Sequence, residues 1–421
     1  MTRSRLWVAS ELYFPEETST GYFLTRIAEG LAREFDVRII SGRPSYSARD
    51  TPVALREERH GTTIYRMPAS RFRPDRLVLR AVNLVSFTVF AFVFAMFHFR
   101  RGDLIVVVTN PPTLPVAIIA AAKFRGARSV LMVHDVYPEV LAATKMLAIE
   151  GIAYRVLAEL SGWLARRFDR VVVLGRDMRE VIATKMVARA DRIVMIPNWG
   201  DVDLVTPVER DNNRLRHELG LDGKFVVQFS GNAGRTHDLD SLFAAADALR
   251  ERPDIHFLLV GFGGKFVTAE SVIARRHLTN VTLLPRQPRD RLATMLTCSD
   301  LTVIAFVGGM YGVSVPSRMY NLLAAGVPIA AIADPRSELA LVVTEGDAGW
   351  VIADGDLATL VATLADAPEG EARRRGDAGR AVAERDYAEA AIVARYAAML
   401  TALASDAGSA PCGLATLPDC G

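Results

Sequence analysis

Two segments in the second half of the chain combine residue types suited to binding a phosphate group. In the first, the apolar run Phe225–Phe229 leads directly into Ser-Gly-Asn-Ala-Gly-Arg-Thr-His, residues 230–237. Glycines at a strand–helix junction let backbone N–H groups approach a ligand closely, and the following helix N-terminus adds partial positive charge. Arg235 could form a bidentate contact with a phosphate, and His237 could add a donor. The same glycines would also suit a tight turn without a ligand.

The second segment is Gly-Val-Ser-Val-Pro-Ser-Arg-Met-Tyr-Asn-Leu-Leu-Ala-Ala-Gly-Val-Pro, residues 312–328. Ser317 is placed to cap a helix that runs to Ala325, because Gly326 suits the left-handed C-terminal position. Arg318 in the first turn opposes the helix dipole, and this local cost makes sense where an anion binds. The alternative is an exposed arginine on an ordinary capped helix. Two helix starts at the ends of parallel strands, each with an arginine, favour a diphosphate.

Composition and charge exclude several classes of function. The 421 residues include 50 basic and 48 acidic side chains, which argues against a general nucleic-acid-binding protein. The cysteines, Cys298, Cys412 and Cys420, have neither Cys-x-x-Cys nor Cys/His ligand spacing, so no metal site is expected and a reducing cytoplasm fits. The first 25 residues hold no apolar run long enough for a signal peptide, so export is not expected.

The elements that must position these segments alternate along almost the whole chain. Short apolar, β-branched runs are followed by helical patterns, which is typical of parallel sheets covered by helices on both faces. The strands predicted for a first sheet are Arg5–Ala9, Asp36–Ser41, Leu104–Thr109, Ser129–His134, Arg170–Leu174 and Arg192–Ile196. Those predicted for a second sheet are Lys224–Ser230, Ile255–Gly261, Val281–Leu284, Leu301–Phe306, Pro328–Ile332 and Gly349–Ile352. The main predicted helices are Gly21–Glu34, Leu239–Arg250, Ala269–Arg276, Arg289–Cys298 and Ser317–Ala325.

The chain is long enough for two or three domains at ~100–200 residues each. We predict a first α/β domain over residues 1–200 and a second over residues 201–385. The change falls near Pro197–Glu218, where Pro-Asn-Trp-Gly-Asp leads into a charged stretch. A last helix at 386–404 is expected to pack back on the first domain. Residues 405–421, rich in Gly, Ala, Pro and Ser, are predicted to be disordered.

The segment Ala81–Phe99 contains 19 residues without a formally charged side chain, and at ~1.5 Å per residue it could almost cross a bilayer core. A single crossing, however, would place strands of one sheet on opposite sides of the membrane. A buried core helix and a transmembrane span remain alternatives. We favour an apolar, Phe-rich surface that rests in one leaflet, because basic flanks suit anionic headgroups. The flanking arginines are Arg66, Arg71, Arg73, Arg76, Arg80, Arg100 and Arg101.

Six short stretches, in their order and spacing, resemble the retaining glycosyltransferases of family 4. They are YFPEETSTG at 13–21, TNPP at 109–112, HDVYPE at 134–139, IPNW at 196–199, SGNAG at 230–234 and VPSR at 315–318. The resemblance extends from Glu11 to about Leu400. It implies the GT-B fold, in which two Rossmann-like domains with parallel sheets face a cleft. Within the family the chain looks most like the colanic-acid and N-acetylfucosamine transferases of bacterial polysaccharide assembly, which use sugars carried on a polyprenyl diphosphate lipid.

The resemblance implies roles at matched positions. His134 corresponds to the family's cleft histidine, which contacts the transferred sugar or supports the transition state, although a structural histidine is the alternative. Gly21 would let the next helix start close to the donor diphosphate, and Asp135 could bind acceptor hydroxyls or cap a turn. The residues expected to be catalytic are His134, Arg235 and Arg318. Those expected to bind the donor are Gly21, Gly231, Asn232, Gly234, His237, Gly263, Arg286, Ser317 and Asn321. Those expected to bind the acceptor are Tyr13, Tyr22, Asp135 and Glu139.

One family pattern, Glu-x7-Glu before the second segment's helix, is absent. In this chain the positions of the two glutamates are occupied by Val313 and Asn321. The second glutamate commonly holds the nucleotide ribose, and the Asn321 amide could replace it because it both donates and accepts hydrogen bonds. Val313 offers no polar replacement. We interpret the chain as a variant and not as an inactive relative.

These residues and the resemblance predict a retaining transferase that moves a sugar from a nucleotide diphosphate donor, with uridine as the expected base, to a polyprenyl-diphosphate-linked sugar. No cofactor or metal is expected. The expected partners are the donor, the lipid-linked acceptor and an anionic membrane surface, with no nucleic acid. The enzyme would be cytoplasmic and attached peripherally to the inner face of the cell membrane. The alternatives are a GT-B epimerase, a sugar-phosphate synthase, or a non-catalytic membrane-associated assembly partner.

Overall fold

The structure is a computed structural model that describes residues 3–45, 48–49, 51–70, 72, 77–367 and 369–405. The predicted disordered tail lies outside the described residues apart from Ser405. The flanking arginines Arg71, Arg73 and Arg76 also lie outside them, as do Cys412 and Cys420.

Strands and helices alternate along the described residues. The strands are β1 Arg5–Ser10, β2 Asp36–Ser41, β3 Arg56–Arg59, β4 Thr62–Arg66, β5 Leu104–Val108, β6 Arg128–Met132, β7 Arg170–Val173, β8 Ile193–Met195, β9 Phe225–Asn232, β10 Ile255–Phe262, β11 Val281–Pro285, β12 Leu301–Ala305, β13 Ile329–Ile332 and β14 Gly349–Ile352. The helices are α1 Ser19–Leu31, α2 Leu77–His98, α3 Leu114–Arg125, α4 Glu139–Ala143, α5 Ile152–Ala165, α6 Arg176–Lys185, α7 Arg214–Glu218, α8 Asp240–Ala248, α9 Gly264–Arg276, α10 Leu292–Leu296, α11 Arg318–Ala324, α12 Glu338–Glu345, α13 Leu357–Asp366, α14 Glu369–Asp386 and α15 Glu389–Ser405.

Two mainly parallel sheets confirm the predicted α/β class. The first sheet has the strand order β3-β4-β2-β1-β5-β6-β7-β8, and the second has the order β11-β10-β9-β12-β13-β14. Every predicted strand is present with ends shifted by a few residues. The hairpin of β3 and β4 was not predicted, because β3 reads Arg-Glu-Glu-Arg and pairs antiparallel at the sheet edge, where charged side chains reach solvent.

The chain divides into two compact units. The first comprises Met1–Met132, Arg167–Val171 and Val393–Gly421, and the second comprises Val133–Arg166 and Val172–Ile392. Residues 133–166 and 172–200, which we predicted to lie in the first domain, therefore pack within the second unit. In the first unit α15 packs on α1, where a Cβ added to Gly30 would lie 2.7 Å from Val393 Cγ1.

Helix α2 belongs to the first unit and has one packed face and one open face. Its buried side includes Phe87, Ala91 and Ala95, and the Phe94 ring lies 5.9 Å from the Trp7 ring of β1. The stretch Val78–His98 is long and apolar enough to cross a membrane. The exposed apolar side chains are Val78, Val82, Val85, Val89, Phe90, Val93 and Phe97. The helix is therefore not a fully buried core helix, and its open face is formed mainly by valine where we predicted a Phe-rich surface.

Candidate active site

The carboxyl ends of β9 and β10 form a glycine-rich corner of the second unit. The two parallel strands pair until Phe262 lies opposite Asn232. Gly231 and Gly263 have φ angles of +131° and +112°, which side-chain-bearing residues rarely adopt. A Cβ on Gly263 would lie 2.4 Å from Asn232 Oδ1. The structure thus brings together three of the predicted donor-binding residues, with main chain at their surface.

Arg318, the first residue of α11, lies against this corner. Its Nη1 donates a hydrogen bond to the Ser230 carbonyl oxygen at 2.8 Å, and its Cζ stands 4.8 Å from the centre of the Phe229 ring. A Cβ added to Gly231 would lie 3.2 Å from that Cζ. The absence of a side chain at Gly231 therefore makes room for the guanidinium, so the two segments singled out in the sequence form one site.

The predicted donor-binding residue His237 meets Arg318 side chain to side chain. Arg318 Nη2 donates a hydrogen bond to His237 Nε2. Because a guanidinium can only donate, Nε2 is the acceptor and the imidazole proton is on Nδ1, which lies 3.2 Å from Thr236 Oγ1. Burial, followed by the charges of Arg318 and Lys265, lowers the pKa of His237 to about 2. His237 is therefore a neutral residue that orients Arg318.

The positive charge of Arg318 lies in a desolvated position at this corner. Loss of hydration lowers its pKa to about 10, so it remains charged at neutral pH. Within the described part of the chain, no carboxylate forms an ion pair with it. A desolvated charge without a counter-ion is costly, and a bound anion would remove that cost. The corner is therefore suited to a phosphate group.

Helix α11 is shorter than predicted and starts differently. It contains seven residues, and the Ser317 side chain makes no capping hydrogen bond to it, so the predicted cap is wrong. The first turn begins instead with Met319 N–H donating to the Pro316 carbonyl at 3.0 Å. The prediction for the helix end is confirmed, because Gly326 adopts a φ of +67°.

Asn321, the proposed replacement for the ribose-binding glutamate, has an internal partner. Its Oδ1 accepts a hydrogen bond from the Asp201 N–H at 3.1 Å. The Asp201 carboxylate pairs with Arg289, and Asn198 is buried nearby in the chain. The amide oxygen thus holds the 198–201 segment against α11, which leaves the Nδ2 donor as the group that could reach a ribose.

The other two predicted arginines are placed differently. Arg235 follows Gly234 on the exposed surface of the loop, and no hydrogen bond or ion pair joins it to another residue in the described ranges. The Cζ of Arg286 stands 5.6 Å from the ring centre of Phe262, the residue that precedes Gly263. Arg286 therefore lies beside the glycine-rich corner, whereas Arg235 is free to move toward a ligand.

His134, Asp135 and Glu139 lie in the second unit, in and after the loop that follows β6. Burial lowers the pKa of His134 to about 4 and raises that of Asp135 to about 6, so His134 is neutral at pH 7. The Glu139 carboxylate pairs with Lys185 Nζ at 2.7 Å. Glu139 also lines a cavity of about 580 Å³ together with Gly308 and other residues of the loop after β12.

Three predicted residues, Tyr13, Gly21 and Tyr22, belong to the first unit. Tyr13 is only 2% exposed, so its ring is part of the core and offers little surface to an acceptor. A Cβ on Gly21 would lie 2.6 Å from the Glu16 carbonyl oxygen, and Tyr22 is half-buried against Phe23. Gly21 therefore allows the turn at the start of α1 to close tightly, and this packing alone accounts for a glycine at the position.

Lys265 is a site residue that we did not predict. Its Nζ donates a hydrogen bond to the His237 carbonyl oxygen at 2.6 Å, which places a second positive charge near Arg318. The sequence did contain a signal, because Gly-Phe-Gly-Gly-Lys at 261–265 is a second glycine-rich junction between an apolar strand and a helix. The residue missed at the other side is Phe229, whose ring supports the guanidinium.

The lowered pKa of His237 predicts a loss of stability in acid. The unfolded chain takes up a proton near pH 6.5, whereas the folded chain does not until about pH 2, so the free energy of unfolding falls as the pH drops below 6.5. His237→Gln should reduce this acid-induced fall in the free energy of unfolding by up to ~1.4 kcal/mol per pH unit. Thermal unfolding of both proteins between pH 7 and pH 5 measures the difference.

The matched control for this prediction is His217→Gln. His217 is exposed, and its pKa is raised by a hydrogen bond to Asp222, so the variant should not reduce the acid sensitivity. Identical pH dependence of the wild type and His237→Gln would contradict the neutral state assigned to His237.

The sequence comparisons identify the family. Residues 20–199 match the glycosyl transferase 4-like domain, and residues 211–382 match the glycosyl transferases group 1. The chain is 28% identical over 404 residues to a protein of Pseudomonas aeruginosa assigned as glycosyltransferase WbjE, covering 96% of this chain and 99% of the relative. It is 30% identical over 341 residues to WcaI of Escherichia coli K12, assigned as a colanic acid biosynthesis glycosyl transferase, covering 78% and 83%.

A solved structure with the same architecture is HepE of Anabaena in complex with UDP-glucose. It has a TM-score of 0.72 and 18% identity, and covers 94% of this chain and 99% of its own. At this identity the likeness concerns the fold. Together with the matched domains and the two parallel sheets, these relatives show that the chain belongs to glycosyltransferase family 4, has the GT-B fold, and is a glycosyltransferase of bacterial polysaccharide biosynthesis.

Proposed function

We propose that this enzyme transfers a sugar, with retention of configuration, from a UDP-sugar to a sugar carried on a polyprenyl diphosphate. The observation that carries the donor assignment is Arg318, a desolvated cation without a carboxylate partner among the described residues, held over the main chain of Gly231. The binding of UDP-glucose by HepE supports uridine as the base. Tyr13 contributes packing in this proposal, and acceptor contacts come from Asp135 and Glu139.

Departure of UDP is the step that Arg318 would assist. The bond between the anomeric carbon and the phosphate oxygen breaks, and its electron pair stays on the phosphate, whose growing negative charge the guanidinium stabilises. The acceptor hydroxyl oxygen bonds to the anomeric carbon from the same face, and its proton passes to the leaving phosphate oxygen. His134, neutral at pH 7, would contact the transferred sugar. The proposal assigns charge neutralisation to side chains and includes no metal.

Attachment to the inner face of the cell membrane is the second part of the proposal. It is supported by the open face of α2, where seven large apolar side chains are exposed. Arg80 on α2 and Arg100 just after it add positive charge for anionic lipid headgroups, at ~1 kcal/mol each near the surface.

The function is tested by incubating the protein with labelled UDP-sugars and a membrane extract that contains lipid-linked sugars. We expect label in the lipid fraction, with the donor's anomeric configuration in the product, and much less label when Val85 and Val89 are changed to glutamate. Label in a water-soluble sugar phosphate or an epimer would instead indicate a synthase or an epimerase. Failure of every UDP-sugar and other nucleotide sugar would point to a non-catalytic assembly partner and contradict the proposal.

A further inference from the structure

Helix α6 contacts the loop after β12 through a buried carboxylate. Asp177, in the first turn of the helix, is only 2% exposed, and its Oδ2 accepts a hydrogen bond from the Gly312 N–H at 3.1 Å. Its Oδ1 accepts from the N–H of Met178, the next residue, at 2.7 Å, as carboxylates near helix starts often do. The contact with Gly312 joins segments that are 135 residues apart, so the carboxylate does more than complete its own helix.

Gly312 permits this close approach of the loop to α6. It adopts a φ of +67°, in the left-handed region that favours glycine. A Cβ at this position would lie 2.3 Å from Val181 Cγ2 and 2.9 Å from the Asp177 carbonyl oxygen, both on α6. A side chain would therefore push the loop away from the helix, so the glycine and the carboxylate serve one contact.

The residue after this glycine holds the loop that follows β6. The Val313 carbonyl oxygen accepts a hydrogen bond from the Val136 N–H at 2.9 Å. Both valines are buried, so breaking this bond would leave backbone groups that water does not readily reach. The positions of His134 and Asp135 therefore depend on the loop that Asp177 holds.

The other end of α6 holds the segment that continues from the loop after β6. Lys185 Nζ donates hydrogen bonds to the Tyr137 carbonyl oxygen at 2.8 Å and to Glu139 Oε2 at 2.7 Å. At the start of the helix, Glu338 Oε2 of α12 accepts from the Arg176 N–H and Nε at 2.8 and 2.9 Å. The ten-residue helix therefore connects two segments of the site over ~15 Å.

Arg318 is held by contacts from β9 and the loop after it. Its guanidinium donates hydrogen bonds to the Ser230 carbonyl oxygen and to His237 Nε2, and it lies beside the Phe229 ring. Loss of the Asp177 contact would therefore leave the glycine-rich corner in place while the loop after β6 moves. Sugar transfer should then be affected more strongly than the binding of the nucleotide.

We propose that Asp177 is a positioning residue for sugar transfer, which acts by fixing the loop after β12 against the loop that carries His134 and Asp135. This inference rests on the proposed function, because it takes those two residues to contact the sugars. Asp177 itself touches no reacting atom. A displacement of ~1 Å far from the chemistry can lower a rate by ~10²-fold, so the contact matters for turnover without adding to donor affinity.

Steady-state kinetics, equilibrium binding of UDP and amide hydrogen exchange, all with the full chain, test the proposal. Asp177→Ala should lower kcat ~10²-fold and leave the Kd for UDP unchanged. Asp177→Asn should recover part of kcat, because its amide oxygen can still accept the Gly312 N–H. In the alanine variant, exchange should become faster in peptides that contain Val136 or Gly312 and stay unchanged over residues 229–232.

Gly312→Ala reaches the same contact from the loop. It should reproduce the loss of kcat and the faster exchange at Val136. The double variant with Asp177→Ala should lose little more than the weaker of the two single variants, because both changes act through one contact. Losses that multiply in the double variant would contradict a shared contact.

The matched control is Asp300→Ala. The Asp300 side chain is 10% exposed and accepts the Val226 N–H at 2.7 Å, at the opposite end of β12 in the same unit. This variant should lose stability and keep its kcat and its exchange at Val136. Wild-type kcat in a folded Asp177→Ala protein, or unchanged exchange at Val136, would overturn the proposal.

An equal loss of kcat in Asp300→Ala would also overturn the proposal, since it would show a general effect of stability. If the wild type transfers no sugar from any nucleotide sugar, the proposed function fails instead. The exchange measurement requires no transfer, so it tests the contact made by Asp177 in that case too.

Discussion

We expect Arg318→Gln to lower kcat/KM by ~10²–10³-fold. This loss is typical of removing one group that stabilises charge in a transition state. Glutamine keeps a donor for the Ser230 carbonyl but carries no charge to meet the leaving phosphate. Arg318→Lys should recover part of the activity, because an ammonium supplies charge without the planar, bidentate geometry. Steady-state kinetics with varied donor, paired with thermal unfolding of each variant, measures the effect.

The matched control for Arg318 is Arg252→Gln, which removes an exposed arginine paired with Asp254 in the same unit. It should leave both turnover and stability unchanged. Arg235→Gln should cost less than Arg318→Gln, ~10-fold, since Arg235 is exposed and contributes through water. Near-normal turnover of folded Arg318→Gln and Arg235→Gln proteins would remove both arginines from the active site.

Gly376→Ala should destabilise the protein by ~2–4 kcal/mol, although alanine normally favours a helix over glycine. Gly376 lies within α14 where this helix crosses the chain just after α11. A Cβ there would lie 2.0 Å from the Gly326 carbonyl oxygen and 3.3 Å from Pro328 Cδ. The backbone at Gly326 cannot move aside as a flexible side chain can, so α14 and the segment after α11 must separate. This separation would disturb α11, which carries Arg318. Chemical or thermal unfolding, followed by donor affinity, measures the change.

Gly370→Ala in the same helix provides the control. No atom lies within 4 Å of a Cβ added to Gly370, so alanine should stabilise the protein by ~0.4–1 kcal/mol by reducing the freedom of the unfolded chain. The expected changes in the free energy of unfolding have opposite signs for the two variants, which distinguishes an effect of close packing from an effect of helix propensity. If both variants unfold alike, the close approach of α14 to Gly326 is not present in solution.

The elements that sequence analysis predicted well are those with a local signal. The strand β13, Ile329–Ile332, is a buried apolar run, and the end of α11 is marked by Gly326. The hairpin that contains β3 was not predicted, because Arg-Glu-Glu-Arg has no alternation of apolar and polar residues. The cap predicted at Ser317 failed because Ser317 itself has helical backbone angles, φ −60° and ψ −23°, whereas a capping residue is normally extended.

The parts of the site that were not predicted depend on contacts between segments that are far apart in the sequence. Spacing along the chain placed Arg318 and His237 in two separate helix starts, whereas the structure pairs them across 81 residues of sequence. The neutral state of His237 follows from burial and neighbouring charge, which no short pattern reports. Asn321 had been assigned by analogy to a ligand, and its contact with Asp201 appears only when the chain is folded.

The pairing of Arg318 with His237 gives the glycine-rich corner a constant charge from these two residues across the physiological range. Arg318 keeps its proton up to about pH 10 and His237 stays neutral down to about pH 2, so neither changes state between these limits. Asp135, whose pKa is raised to about 6 by burial, titrates within that interval. If Asp135 contacts the acceptor as proposed, a change of rate near pH 6 would therefore report that residue and not the Arg318–His237 pair.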